Sequence, residues 1–186
     1  METSLNSMSE TNELNEANNT AETDMTGLTQ YSDENSDKRF SEEVNLSVLK
    51  GLLNQAFHLE DKDLRTYSPL TLAYIGDGVY ELVIRTILVK KGNCPVNQLH
   101  KKASSLVKAA SQSAIMEVIE EKLTEEEHNI YRRGRNAHSP TMAKHATMAD
   151  YRRATGFEAL MGYLYLKGDY TRMLELVRMG IGEDRL

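Results

Sequence analysis

Two carboxylates in this 186-residue chain stand where selection for stability alone would not put them. The first is Asp77, between Gly76 and Gly78, inside the apolar stretch Leu72-Ala73-Tyr74-Ile75-Gly76-Asp77-Gly78-Val79-Tyr80-Glu81-Leu82. The second is Glu158, inside Phe157-Glu158-Ala159-Leu160-Met161-Gly162-Tyr163-Leu164. Glycine costs about 0.5–1 kcal/mol relative to alanine within a helix. An ionised carboxylate stripped of water costs several kcal/mol unless a cation or a donor compensates it. Asp77 is therefore expected to face something positive, with small neighbours keeping the approach open. Glu81 lies four residues on, one helical turn along the same face. Carboxylates from two helices can build a divalent-metal site between them, and magnesium needs only one or two of them beside water and substrate phosphate. The competing reading is ion pairing, Glu81 with Arg85 and Glu158 with Arg85 or Arg153.

A second constellation is basic. Tyr131-Arg132-Arg133-Gly134-Arg135-Asn136-Ala137-His138-Ser139 gathers three arginines, an asparagine and a histidine around a glycine at a helix end. Arginine forks and amide or hydroxyl side chains suit phosphate oxygens and ribose hydroxyls. Lys144, His145, Arg152 and Arg153 follow, and Gln98, His100, Lys101 and Lys102 form another cluster. Arg132, Arg133, Arg135, Asn136, Lys144, Gln98, His100 and Lys101 are the candidate nucleic-acid contacts. One such cluster alone reads as a solvated face; several beside an acidic pair favour a polyanion.

The elements that must position these groups are helices. Apolar residues from Leu70 to Val89 recur at helical spacing, and Leu72, Ile75, Val79 and Leu82 mark the stripe of a helix expected to be buried on most sides. Ser68-Pro69 starts it and Lys90-Lys91-Gly92 ends it. Upstream, Leu46 to Phe57 forms a short amphipathic helix. Downstream, helices are expected from Val96 to Ala103, from Ser105 to Lys122, from the capping box at Thr124 to Gly134, from Asp150 to Lys167 and from Asp169 to Met179. Residues 135–149 read as a long loop. Alternating strand patterns and internal repeats are missing, so residues 45–186 are expected to form one all-α domain of about seven helices.

Charge divides the chain. Residues 1–44 carry eleven acidic and two basic side chains, against seventeen acidic and twenty basic in the remainder. The overall net charge of −6 thus conceals a mildly basic domain behind an acidic, polar segment too poor in apolar residues to offset its ordering entropy. That tail is expected to be disordered. No apolar run reaches membrane-spanning length, the N-terminus has no signal-peptide pattern, and Cys94 is the single cysteine, without zinc-ligand spacing, so a cytoplasmic protein is expected.

Tyr74-Ile75-Gly76-Asp77-Gly78-Val79-Tyr80-Glu81 resembles the signature helix of the ribonuclease III catalytic domain, and Phe157-Glu158-Ala159-Leu160-Met161-Gly162 resembles its second acidic motif. Asn97-Gln98-Leu99-His100, Arg133-Gly134-Arg135-Asn136-Ala137 and the extension to Leu166 look like Mini-ribonuclease III, the short bacterial form that has no double-stranded-RNA-binding domain. The resemblance spans roughly residues 46–180. It implies an all-α homodimer that binds duplex RNA and hydrolyses it with Mg2+, and a role in maturing the large-subunit (23S) ribosomal RNA precursor. Asp77 matches the metal-binding catalytic aspartate and Glu158 the second metal-binding glutamate, and Glu81 is a candidate to reach the ion through a water. Ala73 and Thr155 stand where full-length ribonuclease III has two further acids, which leaves the number of metal ions open. The alternative is a ribonuclease III-like module that binds RNA during ribosome assembly without cutting it.

Overall fold

The computed structural model describes residues 46–138 and 147–182, and among these every regular element is helical. Seven α-helices follow in order: α1 (Leu46–Phe57), α2 (Pro69–Lys90), α3 (Val96–Val107), α4 (Ala109–Ile119), α5 (Glu125–Arg135), α6 (Met148–Lys167) and α7 (Tyr170–Ile181). Two short 3-10 turns, Leu64–Thr66 and Glu120–Lys122, join them. The expected tail at residues 1–44, and Lys144 and His145, lie outside the described residues.

Local signals account for several helix ends. The Ser68 hydroxyl accepts the Thr71 N–H at 3.1 Å, and Pro69 occupies the first helical position, where its missing N–H costs nothing. Thr124 and Glu127 close a reciprocal capping box on α5. Thr147 caps α6 by accepting the Asp150 N–H, and Gly168 ends it in the left-handed conformation (φ 85°). The break between α3 and α4 falls at Lys108, four residues later than the gap at Ser104 read from the sequence.

Helix α6 is the axis of the fold. From Ala154 to Leu164 every side chain except Glu158 is buried, and α2, α4, α5 and α7 all pack against this helix. Tyr80 of α2 meets Phe157 edge-on with ring centroids 4.9 Å apart, and its hydroxyl donates to the Leu106 carbonyl. Helix α2 is not buried on most sides, contrary to the sequence expectation. Leu72, Ala73, Gly76, Val79, Tyr80, Ile84 and Leu88 face the core, while Tyr74, Leu82 and Val89 on the other side are 84%, 63% and 60% exposed. Its apolar residues thus serve two faces, and the described residues cover only one of them.

Candidate active site

The contact between α2 and α6 is a backbone crossing. A Cβ added at Gly76 would lie 1.8 Å from the Glu158 carbonyl oxygen, and one added at Gly162 would lie 2.0 Å from the Leu72 carbonyl oxygen. No side chain fits at either position. Gly78, in contrast, faces open space. The sequence reading gave both glycines beside Asp77 the task of keeping an approach clear; Gly76 instead lets two helices touch. Gly134, in the last turn of α5 as expected, serves packing as well. It lies within α5 against Gly156 and Ala159 of α6.

This crossing brings Asp77 and Glu158 to one open cleft of about 660 Å³, lined also by Ala73, Ile75, Tyr151 and Thr155. Neither carboxylate has an ion-pair partner among the described residues. Arg85, one candidate partner, donates from Nε to Glu81 at 3.2 Å, with Nη2 on the same oxygen. Arg153, the other, is paired with Glu117. Burial, and then the charge of Asp77, push the Glu158 carboxyl up to about 7, with the Gln112 side chain pulling the other way. Asp77 as a residue is exposed, yet partial loss of water from its carboxyl group, and then the charge of Glu81, raise its pKa as well. Two facing acids with raised pKa values and, among the described residues, no cation paired with either form an arrangement that a divalent cation relieves.

The described residues contain no group of three or more His, Cys, Asp or Glu side chains that could hold a metal. The donor set is therefore two carboxylates, which suits a hard ion that keeps waters and shares substrate phosphate, and does not suit a closed structural zinc site. Ala73 contributes no acid, and the Thr155 hydroxyl donates to the Tyr151 carbonyl at 3.0 Å. Glu81 lies one turn along α2 and is held by Arg85.

The basic candidates are distributed rather than gathered. Arg132 is exposed; Arg133 donates to the Tyr67 carbonyl at 3.0 Å; Arg135 lies over the Tyr131 ring, 5.5 Å from its centroid, and within 3.9 Å of Glu120. Asn136 is the C-cap of α5, its backbone N–H on the Arg132 carbonyl. Gln98, His100 and Lys101 lie exposed on α3. Sequence reasoning missed Tyr151, at the cleft wall, and Gln112, which sits between two serines in a segment whose burial no periodicity announces.

An all-helical fold with two acids facing each other across a glycine crossing agrees with what the comparisons find. The ribonuclease III domain family model matches residues 70–169, and the chain belongs to this family of endoribonucleases. Within the family it is similar to proteins named Mini-ribonuclease 3. The one from Clostridium tetani is 48% identical over 121 residues, covering 64% of this chain and 80% of that protein. The one from Thermoanaerobacter sp. is 44% identical over 133 residues, covering 72% and 94%. A crystal structure of a Fusobacterium nucleatum protein superposes with a TM-score of 0.59 at 34% identity, covering 65% of this chain and 93% of that one.

Proposed function

We propose that this protein is a Mg2+-dependent endoribonuclease that cleaves double-stranded RNA and matures the ends of the 23S ribosomal RNA precursor, acting in the cytoplasm as a homodimer. The observation that carries the reading is the uncompensated pair Asp77 and Glu158 in one cleft. A protein that only bound RNA would gain stability by losing either acid, because nothing in its task repays their desolvation. Bound Mg2+ supplies Lewis acidity that activates water and neutralises charge on the scissile phosphate. The chain's own residues do the rest. Asp77 and Glu158 would hold the ion from opposite helices, whose close backbone crossing sets where the two side chains start. Glu81, restrained by Arg85, would orient a water bound to the ion. Arg132, exposed at the end of α5, and Gln98, His100 and Lys101 on α3 meet phosphates and 2′-hydroxyls, which is how an A-form duplex is recognised. Lys144 belongs with this group.

The uncovered apolar face of α2 supports the dimer. Tyr74, Leu82 and Val89 fall on one side of the helix, where a second copy of the chain would bury them. Among the described residues no helix is long and apolar enough to cross a membrane. The test is Asp77→Asn, folded as judged by circular dichroism and incubated with duplex RNA and Mg2+. Loss of cleavage is expected; cleavage at the parental rate would remove Asp77 from the site. Mapping 23S precursor ends in cells depleted of the protein tests the substrate.

A further inference from the structure

Gln112, on α4, is 1% exposed, and neither its amide nitrogen nor its amide oxygen has a hydrogen bond of ordinary geometry among the described residues. Each such orphaned group costs about 1–3 kcal/mol, and a methionine or leucine of similar size would avoid the cost. The flanking serines do not explain it, since the Ser111 hydroxyl donates to the Ser105 carbonyl and leaves the glutamine alone. Helix α4 packs directly on α6, and the polar group that the Gln112 amide meets there is the carboxyl of Glu158. Among the described residues the charged group that acts on that carboxyl is Asp77 of α2, across the cleft, and Glu81 acts in turn on Asp77. Both are acidic, and Gln112 is the neutral amide that meets Glu158 from α4.

The chemical type is informative. A lysine or arginine at this position would hold Glu158 but would also neutralise it and repel a divalent cation. An amide N–H holds a carboxylate while leaving its charge available, and the amide oxygen can accept when the carboxyl carries a proton. We propose that Gln112 is a positioning residue for Glu158, donating to one carboxylate oxygen so that the other is presented to a divalent cation in the cleft with Asp77. This rests on the metal-site reading given above and adds to it the support that fixes one of the two ligands. Such supporting donors are general in metal sites, where losing one weakens metal binding about 10–100-fold.

The test uses the full-length chain without RNA. Free Mn2+ is followed by electron paramagnetic resonance during titration of the parent, Glu158→Gln, Gln112→Met and Gln112→Leu, and each protein is melted in EDTA. Both Gln112 variants are expected to melt at or above the parental temperature and to bind Mn2+ about tenfold more weakly. A purely structural glutamine gives the reverse, a lower melting temperature with Mn2+ binding unchanged. That result, or failure of both variants to fold, overturns the proposal. If Glu158→Gln binds Mn2+ like the parent, the metal reading itself falls and the role of Gln112 falls with it. If Glu158→Gln loses Mn2+ and neither Gln112 variant does, only the Gln112 proposal is lost.

Discussion

Two glutamates withdrawn from solvent in this fold live in opposite circumstances. Glu127, at the start of α5, is 5% exposed and fully provided for. Arg172 of α7 grips both of its oxygens at 2.9 and 3.1 Å, and the Thr124 backbone N–H donates at 2.8 Å. Burial alone would raise its pKa, but Arg172 and Thr124 together bring it below the usual value. Glu158 has no arginine, faces a second acid and is pushed up to about 7. The first acid joins α5 to α7 and its chemistry is spent on that task. The second is left with unspent charge, and unspent charge in a cleft is what distinguishes a site from a brace.

The sharpest way to break this comparison is cleavage. Glu158→Gln is expected to lower the duplex-RNA cleavage rate about 10³-fold, the scale of several kcal/mol of transition-state stabilisation, while Glu127→Gln retains cleavage wherever it stays folded. Equal losses in both variants at a temperature where both are folded would erase the distinction.

Next comes the means by which each acid is held. Glu158 is located by a backbone crossing, so Gly162→Ala should force α2 from α6 and cost roughly 2–4 kcal/mol in urea unfolding. Glu127 is located by its arginine, and Glu127→Gln should cost about 2–3 kcal/mol by leaving the partly buried Arg172 guanidinium with only Glu175 and the Lys122 carbonyl. Gly78→Ala sharpens the contrast from the other side. Its Cβ meets nothing, so stability should rise by up to about 1 kcal/mol. Lost cleavage in that variant without lost stability would show that Gly78 keeps room for RNA.

The smallest effect is the pH dependence of the metal-free protein. Glu158 binds its proton more tightly folded than unfolded, so its contribution to stability falls as pH rises from about 4.5 to about 7. Asp77, also raised, acts in the same direction. Glu127 does the opposite: its contribution is present above about 4.5 and is lost as pH falls through its lowered pKa. Melting in EDTA across this range should therefore show Glu158→Gln flattening the neutral-side decline by on the order of 1–2 kcal/mol, allowing for solvent screening. A decline identical in the variant and the parent would mean that Glu158 carries no uncompensated charge.

The two acids were legible in the sequence because charge inside an apolar helix is conspicuous by type and position alone. Helix starts were legible for a similar reason, since Ser68-Pro69 and Thr124-Glu127 act within four residues. What the sequence concealed was whatever depends on a distant neighbour. Nothing local separates Gly76, pressed against α6, from Gly78 two residues away in open space. Leu82 belongs to the same apolar count as Leu72, but the second is 1% exposed and the first 63%. Gln112 has an ordinary surface residue type, and only the packing of α4 on α6 puts it out of reach of water. The three arginines from Arg132 to Arg135 are adjacent in the chain yet diverge in space, because a helix turns consecutive side chains to different sides.

The crossing at Gly76 and Gly162 also separates two histories that this fold can have. Changing either glycine is expected to damage the fold and the site together, whereas neutralising Asp77 or Glu158 is expected to end the chemistry and relieve the fold. A descendant released from the need to cut RNA would thus shed the acids early, with a gain in robustness, and keep the glycines indefinitely. The glycines are marks of ancestry; the acids are marks of present use.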